Sequence, residues 1–286
     1  MSRRPGGCRL RQPPEGGQPV IRVPLIRIVG AGIMPSRDLS LGALNALRAA
    51  GCVAYVHWIG PADFLPSLGI EEIRNLSALY HDAGVDRDNY GRVQDAVIAL
   101  AIEFGDVAYL VPGNPGLGDT LTHGLADRAR QIDDIEVTLV PGISSFDTVM
   151  GDLARDFLER GCAVVDANRL LLFNYTVDDR LDLLIYHGSS VGTSQTHFRR
   201  PWDHNRVDLL QAWLLQSRGP EAPYFAICSA PSLQETPRIH TGLVSEMQEK
   251  VEDFDYGTSI YVPGRVDLAN KDVDHGFLHL LVGSDL

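Results

Sequence analysis

The sequence predicts an α/β fold organised as two domains. Apolar, strand-like runs alternate with amphipathic helical segments through the first half of the chain, the pattern of a mostly parallel sheet. A length of 286 residues suits two packed α/β units. The second half reads as richer in strands, and a boundary near Pro141 and Gly142 divides a first α/β domain over 22–141 from a second over 142–286. Residues 1–21, rich in Gly, Pro and Arg, read as a flexible tail.

The first strand is expected over 21–29 (IRVPLIRIV), ending at Gly30. Apolar residues at helical spacing over 39–50 give a helix that Gly51 stops. A strand follows over 52–59, then helices over 70–79 and 92–104, the latter ended by Gly105. The segment DVAYLV over 106–111 reads as a strand, 122–131 as a helix and 135–140 as a strand. Beyond the boundary, helices are expected over 146–158 and 208–216, and strands over 170–174, 183–186, 224–228 and 259–262. The charge run over 246–255 reads as one solvated helix face.

Composition excludes several functions. A net charge of −12 is a poor match for a broad surface that grips nucleic acid phosphates, and it offers little attraction to anionic membranes. No run approaches the ~18 apolar residues of a membrane span, and the amino-terminal segment lacks the apolar core of a secretory signal. Cys8, Cys52, Cys162 and Cys228 form no C-x-x-C pair. They read as reduced thiols of a cytoplasmic protein rather than a disulfide framework or a zinc site. His275 and His279 lack partners for a metal and read as surface residues. His187, His197 and His204 flank or follow a Gly/Ser/Thr-rich stretch over 188–196. That stretch reads as a mobile surface loop, with a substrate loop as the alternative.

Three loops carry the chemistry. Gly30-Ala31-Gly32 follows the first strand, but Pro35 stands where a dinucleotide fingerprint needs its third glycine. Pro112-Gly113-Asn114-Pro115-Gly116 follows a strand, and so does Pro141-Gly142-Ile143-Ser144-Ser145, which a helix then follows. Each alone is explained as a tight turn or a helix cap. Together, at the carboxyl ends of parallel strands where open α/β sheets bind ligands, they point to one site.

In this order and spacing the motifs G-x-G-I, L-x-x-x-A-L, V-x-x-L-x-P-G-N-P-G and V-P-G-I-S-S resemble the tetrapyrrole-methylase superfamily. The likeness runs from about Ile21 to Asp147 and more loosely to the end. It implies two α/β domains with S-adenosylmethionine held in the cleft between them. By the same resemblance, Pro112, Gly113, Asn114 and Leu117 line the methionine and sulfonium side. Ser144 and Ser145 contact the cofactor from the interdomain turn, and Gly30 and Gly32 lie under the substrate-facing mouth. Within the superfamily, Gly113 to Gly116, Thr122-His123, Pro141 to Ser145, Asp147 and the run Thr258 to Pro263 look most like the borosin-type enzymes that N-methylate peptide backbone amides.

Those enzymes place two tyrosines ten residues apart with an arginine between them, and Tyr80 and Tyr90 match that spacing. Arg87 stands one position away from the expected arginine. The chemistry suits these residue types. An amide nitrogen is a poor nucleophile because its lone pair is delocalised into the carbonyl. A phenol with a pKa of about 10, lowered by a guanidinium, can take the N–H proton while a second donor holds the imidate oxygen. The alternative is that Tyr80 and Tyr90 are packing aromatics and Arg87 a solvated charge.

The resemblance further implies a homodimer. Because the chain ends soon after the TSIYVP run, the expected substrate is a separate precursor peptide acting in trans. Two other functions stay open: methylation of a tetrapyrrole or other small molecule, and a non-catalytic binding subunit that keeps the fold.

Overall fold

The computed structural model describes residues 23–56, 64–132, 134–265 and 274–282. In the first half, β1 (Leu25–Gly30), β2 (Cys52–Tyr55), β3 (Ile73–Asn75), β4 (Asp106–Val111) and β5 (Glu136–Val140) form one sheet in the order β3-β2-β4-β1-β5. All its pairings are parallel. Such a sheet has to be covered on both faces. Helices α4 (Asp86–Phe104) and α5 (Thr120–Arg130) bury Ile26, Ile28, Val97 and Leu125 on one side. Helices α2 (Leu41–Ala49) and α3 (Phe64–Ser67) bury Val29, Leu47 and Leu65 on the other, and a single turn, α1 (Pro35–Asp38), precedes them. Register decides where the three motif loops leave the sheet. Gly30 pairs with Val111, and Val29 with Val140, so β1, β4 and β5 end at one level.

The second sheet has the order β6-β7-β10-β8-β9, from β6 (Cys162–Asp166), β7 (Asp182–Tyr186), β8 (Pro223–Cys228), β9 (Arg238–Leu243) and β10 (Ser259–Val262). β6 and β7 run parallel and the other neighbours antiparallel. α6 (Ser145–Leu153) packs on one face through Val149, against Leu184, Ile227 and Tyr261. α7 (Ala167–Leu172) and α8 (Val207–Ser217) cover the other through Leu170, Leu210 and Leu214. The last described helix, α9 (His275–Val282), leaves Phe277, Leu278, Leu280 and Leu281 exposed.

Several elements differ from the sequence reading. Residues 70–79, expected as a helix, form β3 and a 3₁₀ turn over Ser77–Leu79. Pairing of Ile73 with Val53, and a hydrogen bond of 2.8 Å from the Leu76 amide to Tyr55 O, hold the segment on the sheet edge. Residues 170–174, expected as a strand, fall in and just after α7. The Asp166 carboxylate caps that helix by accepting from the Arg169 amide at 2.8 Å. α4 begins at Asp86 rather than at Arg92, with Asp86 and Asp88 in a first turn where negative charge is favourable. α6 stops at Leu153 because Ala154 turns left-handed, with φ 49°. The run over 246–255 is no single helix: it includes the 3₁₀ turn Val251–Asp253, and Phe254 is buried. β9 gives no strand signal in the sequence because most of this edge strand is exposed and carries no apolar alternation. The tail and the end of the strand expected over 52–59 lie outside the described residues.

Candidate active site

The three glycine loops interlock through their backbones. A Cβ on Gly30 would lie 2.6 Å from both Gly113 O and Gly142 N, and one on Gly142 would lie 2.4 Å from Gly113 O. No rotamer could relieve contacts of backbone with backbone, so only glycine allows this approach. Gly32 and Gly113 exchange two backbone hydrogen bonds, of 2.9 and 3.3 Å. Asn114 serves the same loop, its Oδ1 accepting from the Gly116 amide at 2.9 Å. Ser144 and Asp147 form a capping box at the start of α6, and Ser145 Oγ donates to Tyr186 Oη at 3.3 Å. Six of the eight residues expected to bind the cofactor therefore shape the loops. The other two, Pro112 and Leu117, line the cavity that the loops support.

That cavity has a volume of about 560 Å³, within the range of about 300–1,000 Å³ usual for small-molecule clefts. The first half contributes Tyr80, Asp86, Tyr90, Leu117 and Asp119, and the second half Asp166, His187, Ser189, Thr196 and Tyr256. A smaller cavity of about 290 Å³ shares Leu117 to Thr120, Asp166 and His187 with it and adds His123 and Tyr186.

Tyr80 and Tyr90 come together in the wall, their ring centroids 6.1 Å apart. Phe198 lies 5.6 Å from Tyr80 and 5.3 Å from Tyr256, extending the aromatic surface. Burial pushes the Tyr80 phenol up to about 12, with hydrogen bonds to Thr196 and Tyr90 pulling the other way. Burial, followed by the neighbouring Tyr80 and Asp86, drives Tyr90 still higher. Both phenols are therefore held neutral.

Arg87 does not join them. Its side chain is exposed and off the cavity lining, and the residue that lines the wall beside the tyrosines is Asp86. A shift of one position on a helix turns a side chain by about 100°, so the displaced arginine points elsewhere. Arg92, one turn further on, donates to Leu79 O at 2.9 Å and to Asn89.

The stretch expected to be a mobile surface loop is a wall of the site. The Ala83 amide donates to Thr196 O and the Asp86 amide to Ser194 O, each at 2.9 Å, and Phe198 N donates to Asp82 Oδ1 at 2.9 Å. Thr196 is buried between two groups. It lies 2.9 Å from Tyr80 Oη and donates to Asp86 Oδ1 at 2.5 Å. This clasp joins segments 110 residues apart, from Asp86 to Thr196, which no local pattern displays.

Asp166 does not stand out in the sequence reading, and His187, read there as flanking a surface loop, lies in the cavity lining. Asp166 ends β6 and His187 directly follows the parallel β7, and His187 Nδ1 lies 2.7 Å from Asp166 Oδ2. Burial works against the Asp166 carboxylate, but hydrogen bonds from His187 and the Arg169 amide overcome it and leave its pKa below the usual value. His187 adopts a left-handed backbone, φ 60°, which costs about 1 kcal/mol or more in a non-glycine residue. A Cβ on Gly118 would lie 3.4 Å from His187 Cε1, so the Pro112 loop reaches across to the second sheet. The signal in the sequence is the place of Asp166 at the end of β6 and of His187 just after β7, but β6 shows no strand pattern over 162–166 that stands out from its surroundings.

Residues 26–186 match the family model described as Tetrapyrrole (Corrin/Porphyrin) Methylases. The chain belongs to that family. Its members are, in general, S-adenosylmethionine-dependent methyltransferases. Among solved structures, the uroporphyrin-III-C-methyltransferase from Thermus thermophilus shares the fold with a TM-score of 0.59 at 20% identity, over 84% of this chain and 92% of that one. A methyltransferase/ribosomally synthesized type II borosin cyclic peptide precursor of Phlebiopsis gigantea is 25% identical over 83% of this chain and 42% of its own length. The methyltransferase/omphalotin A precursor of Omphalotus olearius is 26% identical over 78% of this chain and 53% of its own. The chain thus spans roughly half the length of these curated relatives.

Proposed function

We propose that this family member transfers methyl groups from S-adenosylmethionine to backbone amide nitrogens of a ribosomally made precursor peptide, supplied as a separate chain. The observation that carries this reading is the Tyr80–Tyr90 pair in the wall of a cavity edged by the Pro112 loop. The lining suits the cofactor. Asp86, Asp119 and Asp166 put carboxylates in the lining, beside Arg169 and His187, and Tyr80, Tyr90 and Tyr256 offer aromatic faces; carboxylates and aromatic faces both favour a cation. Pro112 and Leu117 would hold the cofactor from one side, on a loop shaped by Gly113 and Asn114. Gly30, Gly32, Ser144 and Ser145 would fix the neighbouring loops. When bound, the cofactor supplies a methyl group already activated by its sulfonium.

The protein's own work is then on the amide. One phenol oxygen accepts the N–H proton while the other phenol, kept neutral by burial, donates to the amide oxygen as negative charge grows there. Phe198 and Tyr256 continue the aromatic surface beside the two tyrosines. Arg87, exposed and off the cavity, has no part in this scheme. Two of the relatives named above are described as methyltransferase and cyclic-peptide precursor in one, and that description favours a peptide substrate. A tetrapyrrole with acidic side groups would call for a cationic pocket; here Arg169, His187 and His197 share the lining with Asp86, Asp119 and Asp166, so the substrate test below includes a tetrapyrrole.

We further place the protein in the reducing cytoplasm as a homodimer. Cys52, Cys162 and Cys228 are free thiols, and no described helix is long and apolar enough to cross a membrane. The exposed Phe277, Leu278, Leu280 and Leu281 of α9 suit burial against a second copy. The deciding experiment incubates the protein with S-adenosylmethionine and peptides encoded beside its gene, followed by intact-mass and fragmentation analysis. Mass gains of about one methyl each, mapped to backbone nitrogens, are expected. Methylation of an added tetrapyrrole but of no peptide would replace this reading. Failure to bind the cofactor in calorimetry would make the chain a non-catalytic binding subunit.

A further inference from the structure

The hydroxyl of Thr196 has one proton and two polar neighbours. Asp86 Oδ1, at 2.5 Å, belongs to a carboxylate that can only accept, so Thr196 gives its proton there. Tyr80 Oη, 2.9 Å away on the other side, must then be the donor to Thr196 Oγ1. The result is a directed chain from Tyr80 Oη through Thr196 Oγ1 to Asp86 Oδ1, beginning at the cavity wall and ending on a partly exposed carboxylate.

From this chain we infer that Tyr80, and not Tyr90, is the proton acceptor of the reaction, and that Thr196 and Asp86 are positioning residues that carry the proton away. The inference rests on the peptide-amide reading proposed above. It also resolves a difficulty in that reading. A phenol raised to about 12 is ionised in only roughly one molecule in 10⁵ at neutral pH, so a free phenolate is scarce.

The chain removes the need for one. As the amide nitrogen gains its methyl group, the N–H bond breaks and its proton passes to Tyr80 Oη. The proton of Tyr80 moves to Thr196 Oγ1, and that of Thr196 to the Asp86 carboxylate. The carbon–sulfur bond that breaks leaves its electron pair on sulfur as a neutral thioether. Tyr80 and Thr196 finish as neutral as they began, and Asp86 holds one proton that it returns to water. Among the described residues, Tyr90 has no comparable hydrogen-bonded chain to a carboxylate: it hydrogen-bonds to Tyr80, and Asp86 and Tyr256 act on it only through their charge. Tyr90 therefore remains the donor to the amide oxygen.

The arrangement crosses the molecule. Tyr80 and Asp86 flank the turn before α4, whereas Thr196 comes from the segment after β7, clasped to that turn by the Ala83 and Asp86 amides. The relay therefore exists only while the two segments are joined.

Two readouts test it on Thr196→Val, which keeps the shape and removes the hydroxyl, and on Asp86→Asn. The first needs no substrate. With ¹³C-labelled tyrosine, the Cζ resonance of Tyr80 should shift in Thr196→Val, assigned by its loss in Tyr80→Phe. An unmoved resonance overturns the relay whatever the enzyme methylates. The second is peptide methylation. Both variants should lose about 100-fold in kcat with KM within twofold, and Thr196→Ser and Asp86→Glu should recover most of that loss. The wild type should show a bowed proton inventory in mixed H₂O and D₂O, and Thr196→Val a linear one. Full kcat in Thr196→Val overturns the relay. A wild-type protein that methylates no peptide, yet shows the Tyr80 resonance coupled to Thr196, would sink the peptide reading while the hydrogen-bonded chain stands.

Discussion

The floor of glycines that supports the cavity from outside its lining and the cavity's wall are built in opposite ways. In the floor, Gly30, Gly113 and Gly142 touch backbone to backbone, and each belongs to a short loop at the end of a parallel strand. In the wall, Tyr80, Asp86 and Thr196 meet side chain to side chain across two distant segments. Glycines that let backbones approach leave a recognisable local pattern. Side chains brought together by a clasp leave none, because threonine and aspartate are common in any loop. The floor is therefore expected to fail structurally when altered, and the wall chemically.

The largest effect should come from the floor. Gly142→Val drives a side chain into Gly113 O and Gly30, and a loss of at least about 3 kcal/mol is expected, read as a lower thermal midpoint or insoluble protein. A stable variant would show that the loops can separate. In the wall, Tyr90→Phe should lower peptide methylation by about 100-fold while its thermal midpoint stays within a few degrees of wild type. A matching loss of stability would make Tyr90 a packing residue.

Smaller changes sharpen the contrast. Ser144→Ala removes the cap of α6 and one side of its box, which should cost about 1 kcal/mol, seen as a shifted denaturant midpoint with unchanged slope. Asp166 has a folded pKa below its unfolded value. Its charge therefore contributes stability that is present above the unfolded pKa and lost as the pH falls through the folded one. Asp166→Asn should be less stable than wild type near neutrality by under about 1 kcal/mol for this partly exposed pair. The difference should close on acidification below about pH 4, followed by thermal melts across pH. Arg87→Ala should change methylation less than about twofold, since the side chain is exposed and off the cavity. A large loss would mean that Arg87 acts on the site of a second subunit.

Sequence reasoning erred where tertiary pairing overrode local preference. The segment containing Ile73 has helical spacing, yet its place beside β2 makes it an edge strand. The leucines around Leu170 look like a buried strand, yet an aspartate three residues before Arg169 starts a helix. That cap is legible in the sequence. The same aspartate holds His187, just after another strand, which the sequence does not display.

What the sequence determined by itself was the set of strand–loop units: apolar runs ending in Gly30, Val111 and Val140, each followed by a Gly/Pro turn that only a close backbone approach explains. It also placed Tyr80 and Tyr90 at a telling spacing. Only the tertiary structure decided which charge stands beside those tyrosines. The turn into α4 starts at Asp86, so helical geometry aims Asp86 at the cavity and Arg87 at solvent. Thr196 reaches them because backbone hydrogen bonds clasp its segment to that turn. Spacing along a chain fixes neighbours within an element, but the direction of a side chain and its distant partners depend on how the elements dock.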